Sequence, residues 1–283
     1  MQRRKIGLAV GAVAMSLALS ACVAGGSGGG SSSGSTPGGQ TGNITIGIKY
    51  DQPGLGMQVG NQYQGFDVDV ARYVAKELGY ADNQITFMET PSAQRETLIQ
   101  SGQVKLIFAT YSITDARKEK VDFAGPYFVA GQDILVKSDR TDINGPADLK
   151  GHKLCSVVGS TSAKKIKDQY PEVQLQEVDT YSKCAEAVAA GSMDAMTTDD
   201  IILAGYAAQP QYKGKLKVVG HPFTQERYGV GLKKGDTELQ TKVNDALKKM
   251  IADGSWQKFL DNNFGASGYQ YNKDTNPPTP GTA

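Results

Sequence analysis

Twice in this chain a helical segment ends on glycine and is followed at once by an apolar strand that stops on a polar residue. The first copy runs Gln100-Ser101-Gly102-Gln103-Val104-Lys105 into Leu106 to Thr110, and the second runs Ala189-Ala190-Gly191-Ser192-Met193-Asp194 into Ala195 to Asp199. Gly102 and Gly191 stand where a helix needs a left-handed residue to end. The uncharged run Leu106, Ile107, Phe108, Ala109 has the pattern of a strand buried on both faces, as in a parallel sheet covered by helices. Thr110 and Asp199 then mark the carboxyl ends of two strands, the side on which open α/β sheets hold ligands. Two facing sheets would point both ends into one cleft, although two repeats side by side in a single sheet would produce the same echo.

The alternation extends through the rest of the chain. Ile44 to Ile48 reads as a strand, followed by the turn-rich Tyr50-Asp51-Gln52-Pro53-Gly54. Asp67 is placed as the N-cap of a helix with Val70, Val74 and Leu78 on one face and Gly79 as its stop. A strand over Ile85 to Met88 and a helix from about Ala93 to Gln100 lead to the first copy of the repeat. Gln132 to Lys137 and Lys153 to Val158 are further strands, the latter ending in the turn Gly159-Ser160-Thr161-Ser162 before a lysine-rich helix from Ala163. A return strand, Tyr228 to Leu232, precedes a helix capped by Asp236 with Leu239, Val243, Leu247 and Met250 at helical spacing. A last helix opened by Ser255 carries Trp256, Phe259 and Leu260. The expected class is α/β, with mostly parallel sheets flanked by helices.

The ends carry different information. Arg3, Arg4 and Lys5, an uncharged apolar run from Ile6 to Ala21, and Leu19-Ser20-Ala21-Cys22 form a secretory signal with a lipobox, residues 1–21, too short for comfortable bilayer spanning. Cys22 would become the lipidated first residue, with a retained single-pass anchor as the alternative. Residues 22–42 are a flexible Gly/Ser-rich tether, and 267–283 a polar, Pro-rich tail, loose or draped on the surface. The expected location is extracytoplasmic, held by lipid on the outer face of the cell membrane.

Lys+Arg total 30 and Asp+Glu 29; loss of the signal removes three cations and no acid, leaving 27 against 29. That balance, without a basic stripe, excludes an electrostatic nucleic-acid binder. His152 and His221 lie far apart without Cys or paired carboxylates at ligand spacing, so no metal or other cofactor is expected. With Cys22 assigned to lipid, Cys155 and Cys184 remain; in an oxidising compartment a disulfide is expected, with two buried free thiols as the alternative.

The site candidates cluster after the first repeat strand. Thr110, Ser112 and Thr114 crowd hydroxyls and backbone N–H groups at the strand end. Thr114 can cap a short turn that aims Arg117 at the crevice. A planar guanidinium suits a carboxylate, whereas the plain alternative is a capped turn with a surface arginine.

Taken together, Gly65-Phe66-Asp67-Val68-Asp69, Ser112-Ile113-Thr114 with Arg117, Phe123, Pro126-Tyr127, Gly159-Ser160-Thr161, Asp194-Ala195 with Asp199, and Gly229-Val230-Gly231-Leu232 resemble one family. The chain is similar to the polar amino-acid-binding proteins of bacterial ABC importers, solute-binding protein family 3, with the type II periplasmic-binding fold. The look of Ile46-Gly47-Ile48-Lys49-Tyr50-Asp51-Gln52-Pro53-Gly54-Leu55-Gly56 is closest to actinobacterial glutamate-binding lipoproteins. The resemblance implies two lobes, 43–130 plus 226–266 and 131–225, with a ligand cleft between them. It implies that Arg117 grips an amino acid's α-carboxylate with Ser112 and the backbone at Thr110, and that Asp199 takes the α-ammonium. N–H groups and hydroxyls of Gly159, Ser160, Thr161 and Ser162 would close over the carboxylate from the second lobe. Lys49 and Arg95 would select an acidic side chain, glutamate above all, unless they are merely solvated surface cations. Tyr50 and Tyr127 would cover the ligand's aliphatic stem, or else pack in the core. Lys105 departs from the family's acidic residue at a position where only a surface effect is expected.

The partners implied are L-glutamate or a related amino acid and ABC permease subunits. A secreted enzyme on the same fold, such as a cyclohexadienyl or prephenate dehydratase, is a competing reading that no isolated general acid or base in the sequence favours. An amino-acid-sensing lipoprotein signalling to a membrane partner is another.

Overall fold

The computed structural model describes residues 41–283. The signal segment, Cys22 and nearly all of the tether lie outside the described residues. The chain enters on β1 (Ile44–Ile48) and makes a small antiparallel ribbon of β2 (Asp51–Gln52), β3 (Gly56–Val59) and β4 (Gln62–Gln64). Then come α1 (Phe66–Glu77), β5 (Ile85–Glu89), α2 (Arg95–Gln100), β6 (Leu106–Phe108), the single turn α3 (Asp115–Lys118) and the long β7 (Asp122–Ala130).

After Gly131 the chain begins a second sheet with β8 (Gln132–Lys137), β9 (Lys153–Val157), α4 (Thr161–Gln169) and β10 (Gln174–Val178). It continues with α5 (Tyr181–Ala190), β11 (Ala195–Asp199), α6 (Asp200–Ala208) and β12 (Leu216–Val218). It returns on β13 (Glu226–Leu232) and finishes with α7 (Thr237–Ala252) and α8 (Ser255–Phe264).

The two five-stranded sheets have orders β5-β1-β6-β13-β7 and β10-β9-β11-β8-β12. In each, the pairings make four strands run one way, with one opposed strand: β13 in the first sheet, β8 in the second. The repeat seen in the sequence therefore has a structural meaning. Its two strands, β6 and β11, hold the same third place in their sheets, and both preceding helices stop at a left-handed glycine, Gly102 at φ 74° and Gly191 at φ 81°.

The opposed strands also carry the crossing between lobes. β7 passes through Gly131 into β8, and the return runs beside it, with the Phe223 N–H donating to the Gln132 carbonyl and the Gln132 N–H to Thr224 Oγ1. The first lobe's core is aromatic. Trp256 stacks on Phe128 and meets Phe66 edge-on, and its indole N–H donates to the Tyr127 carbonyl at 2.7 Å. In the second lobe Cys155 on β9 and Cys184 on α5 form a disulfide.

Several expectations shift. Asp67 is not the cap of α1: Gly65 is, and Asp67 lies buried in the first turn, where its carboxylate is used elsewhere. The second-lobe helix starts at Thr161, two residues before Ala163, because the Ser160 hydroxyl accepts the Ala163 N–H as its cap. Lys105 is exposed and pairs with Asp236 at 3.2 Å, the surface role expected of it. The tail is draped rather than loose. Asn276 is buried and exchanges two hydrogen bonds with Val129, accepting its N–H and donating to its carbonyl. The Gly281 and Thr282 N–H groups reach the Gly125 carbonyl. Among the described residues, no helix is long and apolar enough to cross a membrane.

Candidate functional site

The end of β6 carries an unusual backbone. Thr110, a β-branched residue, sits at φ 45°, a conformation such residues rarely adopt. Asp67 holds it there: one carboxylate oxygen accepts the Thr110 N–H at 2.8 Å and the other accepts the Tyr127 hydroxyl at 2.8 Å. Burial pushes the Asp67 carboxyl up to about 6, against the pull of those two donors. The bend turns the Thr110 hydroxyl toward the Gln52 amide oxygen and lets the chain continue to Ser112 and α3.

Thr114 caps α3 as expected, its hydroxyl accepting the Arg117 N–H. The Arg117 guanidinium is thereby aimed inward. It donates to the Ser112 carbonyl at 2.7 Å and, across the lobe boundary, to the Gly159 carbonyl at 3.1 Å, while Glu96 lies 3.5 Å from its Nε. Ser112 and Thr161 hydroxyls also face each other across that boundary at 3.4 Å. Arg117 is buried, so the surface-arginine alternative is set aside.

Two further cations join it. Lys49, 5% exposed, donates to the Ser92 hydroxyl, and Arg95, 2% exposed, donates to the Ala109 carbonyl. Arg95 and Arg117 both lie over the Tyr111 ring, at 4.2 and 5.0 Å. Burial lowers the Lys49 ammonium to about 7, with the positive charge of Arg95 adding to the effect. Burial, and then Arg117, lowers Arg95 to about 10. Neither is a solvated surface cation.

The opposite wall is acidic. Asp199 ends β11 with one carboxylate oxygen accepting the Tyr228 hydroxyl at 2.6 Å. Burial, then the nearby Glu226 charge, raises its carboxyl well above the usual range. Its other oxygen, the Nε of Arg95 and the amide nitrogen of Gln52 are buried without a hydrogen-bond partner. Buried donors and a buried carboxyl oxygen without partners are groups that a zwitterion can satisfy, with cations left over for one more negative group.

The structure thus brings together Arg117, Ser112, Thr110, Asp199, Gly159, Thr161, Lys49 and Arg95. Ser160 spends its hydroxyl on capping α4, and the Ser162 carbonyl accepts from Gln132. Tyr127 packs with Phe66, Phe108 and Tyr228 in the core, and the half-buried Tyr50 packs on Tyr63 and donates its hydroxyl to the Phe87 carbonyl. Gln52, Asp67 and Tyr228 were not singled out for this site. Gln52 lies in a stretch whose Pro and Gly read as a plain turn, whereas the two-residue alternation of the return strand could have turned Tyr228 inward with Val230 and Leu232.

Comparison with known proteins agrees with this architecture. A family model, the bacterial extracellular solute-binding proteins, family 3, matches residues 44–266. The glutamate-binding protein GluB of Corynebacterium efficiens is 52% identical over 235 residues, 79% of this chain and 79% of that protein. The ABC transporter glutamine-binding protein GlnH of Bacillus subtilis is 37% identical over 218 residues, 76% of this chain and 78% of that one. An ancestral arginine-binding protein bound to glutamine superposes with a TM-score of 0.74 at 34% identity, over 80% of this chain and 99% of that one. These relatives are binding proteins rather than enzymes. The chain belongs to the bacterial extracellular solute-binding proteins, family 3.

Proposed function

We propose that this protein is the extracytoplasmic receptor of an ABC importer and that its two lobes, 43–130 plus 226–266 and 131–225, close around L-glutamate for delivery to the permease. Arg117 takes the α-carboxylate with Ser112 and Thr110, Asp199 takes the α-ammonium, and the turn from Gly159 to Ser162 covers the carboxylate from the second lobe. Lys49 and Arg95 receive the side-chain carboxylate. Their joint burial beside Arg117 is the observation that carries this reading, because three buried cations are poorly matched to a neutral ligand. Aspartate, glutamine and asparagine share the zwitterionic part and are weaker ligands. Lipid on Cys22 and the tether would keep the receptor beside its permease.

Calorimetry of the mature protein against the four amino acids tests this. Glutamate should bind tightest. Arg117→Ala should lose all four ligands, by about 2 to 5 kcal/mol or more, since it strips a buried carboxylate of its partner. Lys49→Ala and Arg95→Ala should weaken the acidic ligands most; an unchanged glutamate preference in both would overturn the side-chain assignment.

A further inference from the structure

The lobes also meet where Asp51 and Pro53 of the first lobe face α5 and α6 of the second. Beside the first lobe's ribbon, the Asp51 carboxylate accepts the Ser182 N–H at the start of α5, at 3.2 Å. It also accepts the Tyr206 hydroxyl of α6 at 3.1 Å, and the same hydroxyl donates to the Asp51 carbonyl at 2.5 Å. Next to this bond, Gly205 faces Pro53. A β-carbon on Gly205 would lie 2.2 Å from the Pro53 carbonyl oxygen, a backbone atom that cannot swing aside. Gly205 sits inside α6, where its φ gives no reason for glycine and alanine would be the better helix former. The second lobe has no use of its own for the missing side chain; the other lobe's backbone occupies that space.

We propose that Gly205 and Tyr206 on α6, with Asp51 and Pro53 opposite, form a closing face that touches no ligand and sets how much of the protein stands closed. They are positioning residues for whatever the crevice holds. Ligand binds the closed arrangement, so apparent affinity scales with the closed fraction, equally for every ligand. The proposal rests on the receptor reading above.

Gly205→Ala separates this role from the others, because its expected effects on stability and on binding have opposite signs. In the full mature chain it should leave the unfolding midpoint of ligand-free protein unchanged or higher, yet weaken glutamate and glutamine by one common factor of about tenfold or more. Tyr206→Phe, which leaves the Asp51 charge near Lys49 in place, should weaken both by a common factor of about two to ten, the range of a single hydrogen bond. Binding of both ligands at wild-type affinity by Gly205→Ala overturns the proposal. So does a changed glutamate-to-glutamine ratio, which would mean direct ligand contact, or a lowered midpoint of ligand-free protein matching the loss of binding, which would mean a folding role. If the wild-type protein binds neither amino acid, the receptor reading falls first and this proposal with it.

Discussion

Lys49 is the residue whose chemistry most ties binding to solution conditions. Its ammonium is lowered from 10.5 to about 7 by burial and by Arg95. Between those two values the unfolded chain holds a proton that the folded ligand-free protein has partly released, so this group makes stability rise as pH climbs from about 7 to 10.5. Glutamate binding should show the opposite trend. A ligand carboxylate favours charged Lys49, so affinity for glutamate should fall above about pH 7 and binding at pH 8 should take up a fraction of a proton. Calorimetry in buffers of different ionisation enthalpy measures that uptake, and glutamine should show much less of it. At this scale the sequence was partly legible. Arg117, Asp199, Lys49 and Arg95 are charges at strand and helix ends, where position alone suggests direction. Asp67 was misplaced as a cap because an acidic residue after glycine at a helix start satisfies both roles on paper, and only the bent backbone of Thr110 shows which donors claim it.

Elements betray themselves unevenly. α1 and α7 have one apolar face each and read correctly, whereas α6 is apolar almost all round and offers no period to read. β7 contains Gly125 and Pro126, residues that argue against a strand; it tolerates them as an edge strand, its register with β13 shifting between Tyr228 and Val230. The tail's composition suggests no structure, yet Asn276 replaces the sheet partner that β7 lacks at Val129. Asn276→Ala should leave the Val129 N–H and carbonyl without these bonds and cost about 1 to 3 kcal/mol, measurable by denaturant unfolding, with faster amide exchange at Val129. The link from Cys155 to Cys184 spans 29 positions. Replacing both cysteines by serine should remove about 3 to 4 kcal/mol of stability by the chain-entropy model, read in the unfolding of the second lobe, with the ligand ratio unchanged.

For the whole molecule, the repeat of helix, glycine and buried strand held the fold in miniature: its two copies became the third strands of two like-ordered sheets. The facing of those sheets was beyond a single sequence, because either arrangement buries the same apolar surface. Glutamate should stabilise the protein as a unit, by about 2.7 kcal/mol at a hundred times the dissociation constant, and raise its unfolding midpoint accordingly. The strand orders also dictate an order of assembly. β13 pairs with both β6 and β7, so the first lobe's sheet stays split until residues 226–232 arrive, whereas the second sheet has all its strands once Val218 is present. A chain that emerges N-terminus first can therefore finish its second lobe while the first still shows the unpaired edges of β6 and β7. The half of the protein that emerges earliest is the last to be sealed, and that interval is when it most needs protection from its neighbours.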